Sequence, residues 1–105
     1  MINATFFIKG ENLSGFSLEG HSGFEDEGKD IVCAAVSSAA YMAVNTLTDV
    51  INEEAQVKES EGKLELKVAC PSPTAGAVLR GLEIHLKNLS DQYPENVTVI
   101  YGGVQ

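Results

Sequence analysis

Residues 31–44, IVCAAVSSAAYMAV, carry no charge, and Ser37 and Ser38 interrupt an otherwise apolar run. Asp30 stands immediately before it, where an Asp accepts hydrogen bonds from the unpaired amides of a helix's first turn, so a helix is expected from near residue 30 to about residue 50. Because its apolar residues lie nearly all round the axis, that helix must be covered on more than one side. Its small side chains favour close packing. At about 14 residues the apolar run is too short to cross a bilayer, and the opening MINATFFIKG lacks the pattern of a signal peptide. A cytoplasmic protein without a membrane partner is expected.

The rest of the chain must supply the cover. Ile2, Ala4, Phe6 and Ile8 alternate with Asn3, Thr5, Phe7 and Lys9, the period of a strand with one face towards a core. Phe16 and Leu18 suggest a shorter second strand after a hairpin loop at residues 10–14, and residues 20–29 form a loop. Strands follow at 55–59 and 63–69, turning at Ser60-Glu61-Gly62. Ser72 and Pro73 then offer a cap and a first helical position. Val78, Leu79, Leu82, Leu86, Leu89 and Tyr93 form an amphipathic stripe that ends at Pro94, before a last strand at 97–101. The order ββαββαβ predicts one α+β domain over residues 1–105, with two helices packed on one face of a mixed or antiparallel sheet.

Seven Lys and Arg stand against 15 Asp and Glu, a net charge of −8. Direct nucleic-acid binding, which needs a basic face, is therefore not expected, and a basic protein partner suits the surface better. The two cysteines, Cys33 and Cys70, are expected as thiols. His21, Cys33, Cys70 and His85 include no closely spaced pair of the zinc-binding kind, so no metal and no cofactor are expected. Cys70, before Pro71, reads as a strand-end packing residue, and His85, off the leucine stripe, as exposed.

Chemistry concentrates between residues 20 and 33. A thiol nucleophile must be partly ionised, whereas a free thiol titrates near pH 8.5. Amides at the start of a helix stabilise a thiolate, and Cys33 falls in that first turn. His21, bracketed by Gly20 and Gly23, offers a group that titrates near neutrality and that a sharply turning loop could bring over the helix start. Asp30 has two available roles, helix cap or orienting partner of the imidazole. Glu25, Asp26 and Glu27 are either a lid that attracts a basic substrate or a solvated loop tip. A structural alternative also stands for the two central residues: Cys33 as a small core residue and His21 as a turn residue.

Gly20-His21-Ser22-Gly23 and Gly28-Lys29-Asp30-Ile31-Val32-Cys33-Ala34-Ala35-Val36-Ser37 resemble the paired motif of the ribosomal-processing cysteine protease family Prp. The resemblance implies a cytoplasmic, homodimeric endopeptidase of Firmicutes and related bacteria. Its substrate is the precursor of a basic large-subunit ribosomal protein, number twenty-seven, from which it removes an N-terminal extension. It further implies Cys33 as nucleophile, His21 as proton donor and Asp30 in a supporting role. The loop with Gly20, Ser22, Gly23 and Gly28 would gate substrate entry. Two other functions fit the residues: a non-catalytic ribosome-associated module binding through its acidic surface, and a redox sensor at Cys33.

Overall fold

A computed structural model describes residues 1–20 and 31–103. Their elements run β1 (Ile2–Lys9), β2 (Asn12–Gly20), α1 (Ile31–Asn45), β3 (Ala55–Ser60), β4 (Lys63–Val68), α2 (Pro73–Gln92) and β5 (Val97–Gly103). The order matches the ββαββαβ expectation. The strands form one mixed sheet in the order β3-β4-β2-β1-β5, in which β1 pairs parallel with β5 and every other pairing is antiparallel.

Alternation along the strands divides the sheet into two unlike faces. One carries Ile2, Ala4, Phe6, Phe16, Leu18 and Leu66, all buried in a core shared with Val32, Val36 and Ala40 of α1 and Leu79, Leu82 and Leu86 of α2. At its centre the rings of Phe6 and Phe16 lie 6.2 Å apart. The other face carries Asn3, Thr5, Phe7, Glu65 and Lys67, with the Lys67 ammonium 5.0 Å from the centre of the Phe7 ring.

Two boundaries depart from expectation. β2 begins at Asn12, so the hairpin turn shrinks to Gly10 and Glu11, and the extra residue is absorbed by a bulge between Phe7 and Ile8. Gly15 then passes so close to β4 that an added Cβ would sit 2.1 Å from the Leu66 carbonyl oxygen. α1 continues through a π-helical turn at Thr46–Val50, where the Thr46 and Thr48 hydroxyls donate to the carbonyls of Met42 (2.7 Å) and Val44 (3.0 Å). By length and composition the resulting 20-residue stretch could cross a membrane. Its buried residues nevertheless belong to the core of this sheet.

α2 starts as its sequence predicts. The Ser72 hydroxyl accepts a hydrogen bond from the Ala75 amide at 3.0 Å, and Pro73 opens the helix. α1 keeps much of its apolar surface uncovered: Met42 is 64% exposed, and a cleft of about 690 Å³ lies between Ala35, Ala39 and Met42 of α1 and Val78, Gly81 and His85 of α2.

Candidate active site

Cys33 is the third described residue of α1 and is half-buried. Amides in a helix's first turn have no carbonyl one turn earlier to bond, so they remain available to a nearby anion. The helix starts beside one end of the sheet, where β2 finishes and β4 begins. There Cys33 lines a cavity of about 230 Å³ together with Gly20, Ser37, Tyr41, Gly62 and Lys63. Ile2, Leu18, Val36 and Leu64 give it an apolar floor, and Ser60 adds to the polar rim.

Gly20 is fixed in this wall by its backbone. Its φ of 98° lies where side chains are strained, an added Cβ would meet the Met1 carbonyl oxygen at 2.4 Å, and its amide donates to the Gly62 carbonyl at 2.9 Å. The residue bonded to Gly20 in the chain is His21. His21, Ser22, Gly23, Gly28 and Asp30 lie outside the described residues, as does the acidic run Glu25-Asp26-Glu27. Of the residues singled out from the sequence, the described structure therefore joins Cys33 and Gly20.

Several cavity residues escaped the sequence reading. Cys33, Ser37 and Tyr41 are spaced by four and so share one face of α1, a pattern hidden inside an otherwise apolar run. The Tyr41 hydroxyl donates to the Glu59 carboxylate across the gap to β3. Lys63 points to Glu65, 3.9 Å away.

Cys70 corrects an expectation: it is exposed, not packed at the strand end, because β4 stops at Val68 and the chain turns outward before α2. Neither cysteine is in a disulfide. His85 is exposed, as expected, at the rim of the interhelical cleft. Among the described residues no three His, Cys, Asp or Glu side chains gather as metal ligands would.

Charge is handled differently on the opposite flank. Glu83 of α2 is only 5% exposed and receives a hydrogen bond from the Tyr101 hydroxyl of β5, with Arg80 and Lys87 as ionic partners. Burial pushes this carboxyl up, but Tyr101, Arg80 and Lys87 together more than offset it and hold the group below the ordinary value of 4.5. Tyr101 also raises Lys87 above the usual lysine range, against the effect of burial and with help from Glu83. This network ties β5 to α2.

The Prp cysteine protease family model matches residues 1–98. The ribosomal processing cysteine protease Prp of Mycoplasma genitalium is 29% identical over 85 residues, covering 77% of this chain and 81% of that one. Its counterpart in Staphylococcus aureus is 24% identical over 87 residues, 80% of this chain and 82% of that protein. Among solved structures, a Streptococcus mutans protein at 28% identity superposes with a TM-score of 0.81 over 99% of this chain and 96% of that one. The S. aureus Prp protease with a covalently linked product peptide has the same fold, with a TM-score of 0.91 at 22% identity over 97% of this chain and all of the other. With nearly its whole length matched, the chain belongs to the Prp family of ribosomal processing cysteine proteases.

Proposed function

We propose that this protein is a cytoplasmic endopeptidase that removes the N-terminal extension of large-subunit ribosomal protein number twenty-seven, with Cys33 as nucleophile and His21 as acid and base. The observation that carries this reading is the position of Cys33: first turn of a helix, half-buried, on the wall of a cavity whose neighbouring wall is the residue bonded to His21. The thiolate attacks the peptide carbonyl carbon while first-turn amides of α1 hold the developing oxyanion. The C–N bond then breaks, His21 gives a proton to the departing amine, and a thioester remains on Cys33. Water, deprotonated by His21, hydrolyses that thioester and restores the thiol. Asp30 supports His21 or caps α1. Gly20, Ser22, Gly23 and Gly28 belong to the segment that governs substrate entry. No cofactor or metal enters these steps.

The precursor of a basic ribosomal protein suits a chain of net charge −8, which is also unsuited to direct nucleic-acid binding. The cleft between α1 and α2 and the exposed Met42 support a homodimer, in which a second copy covers the side of α1 that its own sheet leaves bare.

The test is mass spectrometry of the extended ribosomal protein after incubation with wild type, Cys33→Ala and His21→Ala, each first shown to be folded. Wild type is expected to cut once and both variants to leave the precursor intact. Cutting by Cys33→Ala would overturn the assignment, and binding by wild type without cutting would favour an adaptor function.

A further inference from the structure

The cavity beside Cys33 has a direction. Cys33, Ser37 and Tyr41 succeed one another along one face of α1, so the helix carries the wall roughly 12 Å from the thiol to the phenol. An extended peptide advances about 3.3 Å per residue, and the same distance spans three or four of its residues. At the far end the Tyr41 hydroxyl donates to Glu59, the next-to-last residue of β3 and a neighbour of Ser60 in the cavity rim. Glu59 is exposed, and this hydrogen bond holds its carboxylate next to the Tyr41 end of the cavity. The cation of the rim, Lys63, stands across the β3–β4 turn from Ser60 and has Glu65 within 3.9 Å. Next to the Tyr41 end of the cavity there is thus an oriented acceptor with negative charge.

We infer that Tyr41 and Glu59 are specificity-determining residues, with Glu59 pairing to a lysine or arginine three or four residues from the bond that is cut. The assignment rests on Cys33 being the nucleophile, since the spacing is measured from it. Tyr41 is the positioning residue: by fixing the carboxylate before substrate arrives, it lowers the ordering cost of the pair. Because the site is open to water, the effect is moderate, about two- to fivefold, and is screened by salt.

The experiment uses peptides built on the sequence that wild type cuts, with lysine, alanine or glutamate placed singly at each of the five positions on either side of the cut. For wild type, lysine is expected to raise kcat/KM over alanine about two- to fivefold at a position three or four residues away, mostly through KM. Glu59→Gln should erase that preference, Glu59→Lys should transfer it to the glutamate peptide, and Tyr41→Phe should weaken it. A charge preference that reverses sign with residue 59 cannot come from a purely structural role. The inference is overturned if wild type cuts lysine and alanine peptides equally at those positions, or if Glu59→Lys still prefers lysine. Cutting by a Cys33→Ala control would instead remove the nucleophile assignment and the inference with it, which separates the two failures.

Discussion

The chain has two cysteines, each near the start of a helix, and their described surroundings differ. At α2 the vacant amides are already served: Ser72 caps the helix, and the Glu53 carboxylate accepts hydrogen bonds from both the amide (3.2 Å) and the hydroxyl (2.9 Å) of Ser72. Cys70 lies outside this helix, exposed, in a depression of about 380 Å³ lined by Glu53 and Glu54. At α1 the cysteine lies inside the first turn, and the cavity it lines has serines, a tyrosine and a lysine on its rim but no acidic residue among the described ones. The same amino acid is therefore placed once beside carboxylates, outside a helix, and once within the first turn of a helix, on the wall of a cavity. Proximity to a helix start is not enough. The thiol must sit within the turn.

The largest effect expected from this contrast is on cleavage. Cys33→Ala should lower precursor processing by about a thousandfold or more, while Cys70→Ala should stay within about twofold of wild type. Quantified product formation by both variants decides it, and comparable losses would erase the distinction between the two sites.

The α2 flank sharpens the contrast by separating stabilising charge from catalytic charge. Glu83→Gln is expected to cost about 2 kcal/mol at neutral pH, measured by urea unfolding, without changing the cleavage rate of the folded protein. The folded-state value of Glu83 lies below 4.5, so its contribution is present above that pH and is lost as pH falls through the depressed value. The stability gap between wild type and variant should accordingly close in acid.

Reactivity comes next in size. Access alone favours alkylation of exposed Cys70, whereas the proposed role as nucleophile favours half-buried Cys33. With iodoacetamide near neutral pH, Cys33 should react about tenfold faster, as followed by peptide mapping over time. The reverse order would mean that exposure governs.

The smallest effect belongs to the cap. Ser72→Ala should lower stability by about 1 kcal/mol and leave Cys33 alkylation unchanged, because the two helix starts are independent. A thermal melt alongside the alkylation rate reads both.

Much of this architecture was legible because local patterns coincide with burial. The alternation at Ile2, Ala4 and Phe6 and at Leu64, Leu66 and Val68 marks the core side of β1 and β4, and Ser72-Pro73 marks the start of α2. β2 ran longer than expected because Asn12 to Gly15 does not alternate: Ser14 and Gly15 are both buried, the former with its hydroxyl directed to the Phe7 carbonyl at 3.5 Å. Strand order and the bulge depend on pairings between distant segments, which periodicity does not encode. In the site, Cys33 stood out through its place after Asp30. Tyr41 did not, because its link to Glu59 joins residues 18 apart in sequence across two elements. The exposure of Cys70 is not legible in the sequence because a cysteine's burial depends on where the strand stops, and β4 stops two residues before it.

The account turns on Cys33 being the atom that takes the acyl group, and covalent labelling tests this most directly. A peptide ending at the processed bond, with a chloromethyl ketone in place of the scissile amide, is mixed with wild type and with Cys33→Ala, and the adduct is mapped by mass spectrometry. One adduct on Cys33 in wild type, and no labelling of the variant despite its intact Cys70, is the predicted result. An adduct on Cys70, or equal labelling of Cys33→Ala, would contradict it.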